Sequence, residues 1–124
     1  MGRQSSHTVT GRDGEEAAAR FLTDSGYRII ERNSRCRQGE IDLIAREGAW
    51  VVFVEVKTRT GPGFGAPAEA VTPRKQRQLV RLANRFLAER GWSNQACRFD
   101  VVAVQPAAGG GWSCTLIKDA FGAG

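Results

Sequence analysis

Residues 39–59 read GEIDLIAREGAWVVFVEVKTR and contain two apolar runs, 41–45 and 50–56, on either side of a polar break. Both runs are rich in the β-branched and aromatic residues that suit a pleated sheet, so the stretch predicts a β-hairpin. Three charged residues interrupt the apolar pattern: Asp42, Glu55 and Lys57. A strand that only needed to be buried would not carry them, so they are the first candidates for function.

The alternation of side chains along a strand places Glu55 and Lys57 on one face, with valines 52, 54 and 56 on the other, beneath a helix. If Arg46 pairs with Val51, Asp42 lies directly opposite Glu55. If the turn is the tighter Glu47-Gly48 pair, Asp42 lies diagonal to Glu55 on the same face. In either register the two carboxylates lie close together, and only a one-residue bulge in the pairing would separate them.

Two carboxylates this close repel each other unless they share a proton or hold a cation between them. Mg²⁺ or Mn²⁺ accepts such oxygen ligands, and Lys57 is placed to hold or deprotonate the attacking water or to neutralise charge as a phosphodiester breaks. The alternative is a solvent-exposed hairpin face with a Glu-Lys pair. Asp42, in register and flanked by apolar residues, favours the metal site.

Asp42 followed by Glu55-Val56-Lys57 resembles the D…(D/E)xK signature of the restriction-endonuclease-like nuclease superfamily, in its Holliday-junction-resolvase branch. Ile41 stands where that pattern has proline. Four stretches also resemble the YraN-type family of small bacterial proteins, and this likeness spans residues 11–121. They are GEIDLIA, VFVEVKTR, FGAPAEAVTPRKQRQL and CRFDVVAV.

The resemblance implies a metal-dependent nuclease that hydrolyses phosphodiester bonds in DNA, with branched or otherwise structured DNA as the substrate. Asp42 and Glu55 would bind Mg²⁺ or Mn²⁺, with the Val56 carbonyl as a third ligand and Lys57 assisting the water. A homodimer is also implied, since coordinated cutting of two strands calls for two sites.

Length and composition predict one domain at 11–121, with a flexible N-terminus at 1–10 and a tail at 122–124. The 124 residues are 41% hydrophobic, and no apolar run approaches the ~20 residues that span a bilayer. The N-terminus lacks the apolar segment of a signal peptide, so we expect a cytoplasmic protein. Three cysteines without a CxxC pair suggest reduced thiols rather than a zinc site or disulfides.

Helical periodicity over 11–25 predicts a helix that ends at Gly26. Glu15 shares the inward face of this helix, whereas Glu16 faces solvent. Glu15 is therefore either aimed at the sheet or complements the helix dipole. The resolvase resemblance implies an additional metal-site carboxylate here, which makes Glu15 a candidate metal and catalytic residue.

The net charge of +5 and pI of about 9.7 favour a polyanionic partner, and arginine supplies most of the positive charge. Arg32, Arg35 and Arg37 crowd a strand predicted at 27–36, where they line the approach to the acids or merely solubilise an edge. The segment 58–71 is rich in glycine and proline and cannot be regular structure. Three roles are open for this segment: it closes over a nucleic-acid strand with Phe64 stacked on a base, it only connects two elements, or Phe64 contacts a second subunit.

Thr72-Pro73 predicts the start of a second helix and Gly91 its end. Apolar residues at helical spacing face the core, and a row of arginines without offsetting acids until Glu89 lies opposite. The predicted nucleic-acid-binding residues are Arg32, Arg35, Arg37, Arg59, Arg74, Lys75, Arg77, Arg81 and Arg85. Exposed solvated charge is the alternative.

Two further strands are predicted, 98–105 near the sheet centre and 112–118 at an edge, with Asp100 as a structural carboxylate. The order αβββαββ predicts an α/β fold, a mixed sheet flanked by helices. A non-catalytic nucleic-acid-binding module on the same fold is the alternative function. A structural or assembly partner with no DNA role is the third.

Overall fold

Five strands form one mixed sheet in this computed structural model, which describes residues 6–58 and 71–122, with side chains from residue 13 onward. The order αβββαββ is as predicted. The elements are α1 (Ser6–Asp24), β1 (Arg28–Cys36), β2 (Gly39–Glu47), β3 (Trp50–Thr58), α2 (Pro73–Arg90), β4 (Cys97–Pro106) and β5 (Trp112–Phe121). The predicted roles of residues 59–70, including Arg59 and Phe64, lie outside the described residues.

The strands lie in sequence order across the sheet, with β1 and β5 at its edges. All neighbours are antiparallel except β3 and β4, which are parallel and are connected through α2. The hairpin pairs Glu47 with Trp50 and Arg46 with Val51, the first of the two predicted registers. At the turn, Gly48 has φ 60, which suits glycine.

Each face of the sheet is covered by one helix, which makes two apolar layers. Against α1, the buried residues are Ala18, Ala19, Leu22, Tyr27, Leu43, Ala45, Val52, Val54, Val102 and Val104. On the α2 side they include Ile41, Ile44, Val51, Phe53, Leu79, Phe86, Phe99 and Val101. Val52 and Val54, with the partly buried Val56, thus lie beneath a helix as their alternation predicted.

The ends of α2 are those that the sequence predicted. Thr72 Oγ1 accepts the Lys75 N–H at 3.1 Å, Pro73 opens the helix, and Gly91 closes it with φ 72. By contrast, α1 begins at Ser6, five residues before the predicted start. Polar residues with a glycine form weak helices by themselves, so this extension depends on the packed remainder of the helix.

A buried network of polar groups links β4 to β5 and to Tyr27, the residue before β1. Arg98 Nε donates to Asp100 Oδ1 at 3.0 Å, and the Tyr27 hydroxyl donates to Asp100 Oδ2 at 2.8 Å. Asp100 is fully buried and also accepts the Asp119 backbone N–H at 2.9 Å. The structural role predicted for Asp100 is confirmed, because a buried carboxylate needs such partners.

The strand bounds differ from the prediction chiefly at β5, which continues beyond residue 118 to Phe121. Phe121 stacks on Phe99 with ring centroids 4.9 Å apart, and this contact extends the strand. The three cysteines are free thiols. In the described part of the chain, neither helix combines the length and apolar character needed to cross a membrane.

Candidate active site

Asp42 lies where the pairing between β2 and β3 ends. The last paired residues are Leu43 and Val54, and a continued antiparallel ladder would pair Val56 with Ile41. Instead, the Val56 backbone N–H donates to Asp42 Oδ2 at 2.8 Å. A carboxylate thus takes the place of a backbone acceptor between the two strands.

The alternation of β2 also breaks at Asp42. Ile41 packs in the layer under α2, whereas Leu43 packs under α1, although regular alternation would put both on one face. The facing position on β1 is Asn33, between the pairs Arg32–Leu43 and Ser34–Ile41, and Asn33 has φ 52. β1 and β2 are therefore both irregular where Asn33 faces Asp42. The regular registers predicted from the sequence did not include this irregularity.

Three carboxylates converge beside this irregularity. Oxygens of Glu15, Glu40 and Asp42 all lie within 4.8 Å of one another. The Asn33 Nδ2 group donates to Glu15 Oε1 at 3.0 Å and to Glu40 Oε2 at 2.6 Å. Arg35 lies 3.3 Å from Glu40. α1 and β2 therefore both contribute to one oxygen-rich cluster.

The cluster is electrostatically unbalanced. Burial first, and then the negative charge of Glu55, raises the pKa of Asp42 to about 7 from its ordinary 3.8. The charges of Glu15 and Glu40 raise it further, while the Val56 N–H acts in the opposite direction. A positive ion placed here would stabilise the ionised Asp42.

Glu55 raises the pKa of Asp42 through its negative charge, and it has positive partners of its own. Its side chain is 6% exposed, and its Oε2 lies 3.5 Å from Lys57 Nζ and 3.8 Å from Lys75 Nζ. Among the described carboxylates, Glu55 is not part of the group within 4.8 Å. The structure therefore brings Lys57 and Lys75 to Glu55, and Glu15 and Glu40 to Asp42.

Close packing of α1 on β3 brings Glu15 to the cluster. Gly14 is buried, and a Cβ built on it would lie 2.4 Å from Thr58 Oγ1. Glu16, the next residue, is exposed and lies 2.6 Å from Arg32. The helical spacing had predicted this division between the two glutamates.

The predicted nucleic-acid-binding residues fall into two groups. Arg32, Arg35, Lys75 and Arg85 lie against Glu16, Glu40, Glu55 and Glu89 respectively. Arg37, Arg74, Arg77 and Arg81 are exposed, and no ion pair is found for them within residues 13–58 and 71–122. Because Lys75 reaches Glu55, the arginine row of α2 begins beside the site.

Sequence reasoning missed Glu40 and Asn33. Glu40 had a readable signal, since it precedes Asp42 by two residues and shares its face in a regular strand. For Asn33 the sequence carried no such signal, because its left-handed backbone conformation arises only in the folded sheet. Lys75 was predicted to bind nucleic acid but not to contact Glu55.

The donor set fits a hard divalent cation. Carboxylate oxygens are the preferred ligands of Mg²⁺ and Mn²⁺, and Glu15, Glu40 and Asp42 supply them without a histidine or thiol. Burial and the neighbouring carboxylates raise the pKa of Asp42, and a cation bound here would favour its ionised form.

Comparisons with known proteins agree with one another. A UPF0102 protein of Symbiobacterium thermophilum is 60% identical over 111 residues, covering 90% of this chain and 94% of that protein. One from Rhodococcus jostii is 51% identical with the same coverage, and one from Geobacter sulfurreducens is 49% identical, covering 84% of this chain and 82% of that protein.

Among solved structures, the chain is similar to Pyrococcus furiosus SfsA in complex with Ca²⁺, with a TM-score of 0.40 and 14% identity. That match covers 87% of this chain and 62% of the SfsA chain. Residues 14–104 match the model of the uncharacterised protein family UPF0102. The YraN-type resemblance is thereby confirmed, and the chain belongs to the UPF0102 family.

Proposed function

We propose that this protein is a metal-dependent nuclease that hydrolyses phosphodiester bonds in DNA, with branched or otherwise structured DNA as its substrate. One observation carries the proposal: oxygens of Glu15, Glu40 and Asp42 lie within 4.8 Å of one another, and Glu55, 3.5 Å from Lys57, acts on Asp42 through its charge. A carboxylate whose pKa is raised, surrounded by acidic residues from two elements of the fold, is typical of a catalytic or ion-binding site.

The side chains have distinct roles in this proposal. Asp42, Glu15 and Glu40 hold Mg²⁺ or Mn²⁺, and Glu55 joins them from β3. A bound divalent cation supplies Lewis acidity to a phosphodiester oxygen. Lys57, at 3.5 Å from Glu55, orients the attacking water or neutralises charge as the bond breaks.

DNA is the proposed partner because exposed arginines continue along α2 from Lys75, which reaches Glu55. Arg74, Arg77 and Arg81 extend from the end of α2 that carries Lys75, and arginine suits contact with phosphate oxygens. The net charge of +5 favours association with a polyanion. The preference for branched DNA rests on the resemblance to Holliday-junction resolvases.

The test is a cleavage panel of supercoiled, single-stranded and branched DNA with Mn²⁺ or Mg²⁺, on the wild type and on Asp42→Asn and Glu55→Gln. We expect both variants to lose cleavage and retain DNA affinity. Glu89→Gln is the control, because Glu89 is exposed on α2 and pairs with Arg85. Cleavage that survives in both site variants would overturn the proposal.

Two other results would favour the alternatives. DNA binding without cleavage on any substrate would indicate a non-catalytic binding module. Binding to a partner with no dependence on salt would indicate a structural role, since phosphate contacts weaken as salt rises.

We extend the proposal to a homodimer, because paired cuts in branched DNA need two sites. Sedimentation of the purified protein, alone and with a four-way junction, tests this extension. A single copy bound to the junction at saturating protein would contradict it.

A further inference from the structure

Lys75 shares a mostly buried carboxylate with Lys57. The Nζ atoms of Lys75 and Lys57 lie 3.8 Å and 3.5 Å from the same oxygen of Glu55. The Glu55 side chain is 6% exposed, whereas the Lys75 side chain is 37% exposed. One carboxylate thus has two ammonium partners, and one of them comes from a different element of the fold.

Lys75 lies in the first turn of α2, where a positive side chain destabilises an isolated helix. The N-terminal end of a helix carries a partial positive charge that disfavours cations. The first turn of α2 nevertheless contains Arg74 and Lys75 and no acidic residue. Glu55 offsets this repulsion for Lys75, whose backbone N–H is fixed by Thr72 Oγ1 at 3.1 Å.

We propose that Lys75 is a positioning residue that holds Glu55 in the metal-free protein and is displaced from it when a divalent cation binds. The inference rests on the proposed function because it takes Glu55 as a cation ligand. An ammonium and a divalent cation compete for the same oxygen, since both cannot occupy it without repulsion.

Lys75 is the partner that leaves. Its distance to Glu55 is the longer of the two, and its side chain reaches the carboxylate from α2. Lys57 stays close because it follows Glu55 by two residues on the same strand and shares its face. Binding of a cation therefore loosens the contact between the start of α2 and β3.

The first test is calorimetric titration with Mn²⁺ in the absence of DNA. We expect Lys75→Met to bind Mn²⁺ about two- to five-fold more tightly than the wild type, the scale of losing one partly exposed ion pair. Lys75→Arg keeps the charge and should stay within about two-fold of the wild type. Arg28→Met removes an equal charge from an exposed position at the start of β1 and should leave the affinity unchanged.

The second test needs neither metal nor DNA. In a double-mutant cycle, Lys75→Met should lower the urea midpoint in the wild-type background and have a smaller effect in the Glu55→Gln background. Equal shifts in both backgrounds would overturn the claim that Lys75 holds Glu55.

The outcomes separate this inference from the proposed function. Mn²⁺ binding without DNA cleavage would end the nuclease proposal, while the comparison of Lys75→Met with Arg28→Met would still decide the role of Lys75. Equal Mn²⁺ affinity in those two variants, or no Mn²⁺ binding in either, would overturn displacement of Lys75 whatever the cleavage result.

Discussion

The backbone N–H of Val56 donates to the Asp42 carboxylate at 2.8 Å, just beyond the last paired residues of β2 and β3. This hydrogen bond ties a candidate metal ligand to the strand that carries Glu55 and Lys57. The separation of the two strands and the position of the ligand therefore depend on each other. Asp42 contributes to the fold as well as to the site.

This double role predicts different effects for two substitutions of Asp42. Asp42→Asn keeps an oxygen that accepts the Val56 N–H, whereas Asp42→Ala leaves that donor without its acceptor. We expect Asp42→Ala to be less stable than Asp42→Asn by about 1–3 kcal/mol in urea denaturation. Equal stability would mean that the hydrogen bond contributes nothing to folding.

The raised pKa of Asp42 predicts how stability depends on pH without metal. Because the pKa rises from 3.8 to about 7 on folding, the folded protein retains a proton that the unfolded chain releases. The free energy of unfolding should therefore fall as pH rises from about 4 to about 7. We expect a loss on the order of 2 kcal/mol, reduced from the full shift because Asp42 is partly exposed.

The measurement compares the wild type with Asp42→Asn, which cannot titrate at this position. The difference in unfolding free energy between the two should change with pH in that range. A difference that is constant from pH 4 to pH 8 would contradict the raised pKa. Added Mn²⁺ should stabilise the wild type more at pH 8 than at pH 5, since the cation prefers the ionised carboxylate.

Glu40 is a carboxylate of the candidate site that the sequence analysis missed. Glu40→Gln keeps an acceptor for Asn33 and removes one negative charge from the cluster. We expect Mn²⁺ affinity to fall about tenfold, because ligand charge tunes the binding of hard cations. Glu89→Gln, an equal loss of charge on the exposed face of α2, should leave the affinity unchanged in the same calorimetric titration.

The exposed arginines of α2 should determine the salt dependence of DNA binding. Arg77→Ala and Arg81→Ala should each weaken binding and reduce the slope of log affinity against log salt by about 1. Arg85→Ala should have a smaller effect, because Arg85 lies 3.1 Å from Glu89. An equal reduction for Arg28→Ala, at the start of β1, would show that no particular surface is used.

Gly14 tests the close approach of α1 to β3. A Cβ on residue 14 would lie 2.4 Å from Thr58 Oγ1, so Gly14→Ala forces α1 or Thr58 to move. Overpacking costs about 1–3 kcal/mol, partly offset by the ~1 kcal/mol helix preference of alanine. We expect lower stability and weaker Mn²⁺ binding, because Glu15 moves with the helix.

A second substitution distinguishes this clash from other effects of alanine. Gly14→Ala with Thr58→Ala removes the hydroxyl and should restore both stability and Mn²⁺ affinity. The Thr58 Cβ lies 3.6 Å from the added carbon, an ordinary contact. Failure of the double variant to recover would locate the effect elsewhere.

Much of the fold could be predicted from interactions between residues close together in the sequence. Thr72, Pro73 and Gly91 mark α2 through capping and backbone preferences that act within a few residues. Alternating side chains and a polar break narrowed the hairpin to two registers, and the structure has the one that pairs Arg46 with Val51. The sequence identified Asp42, Glu55 and Lys57 as candidates because charged side chains are unfavourable in an apolar strand unless they are paired or bind an ion.

The sequence by itself determined the order of the elements, the presence of the hairpin and the residues that carry charge into the sheet, because these depend on neighbours along the chain. Only the tertiary structure decided that Glu40 joins Glu15 and Asp42, and that Lys75 reaches Glu55. Those contacts depend on how two helices pack on a sheet whose alternation breaks at Asn33 and Asp42. Such a break has no local signature, since side chains distant in sequence stabilise it.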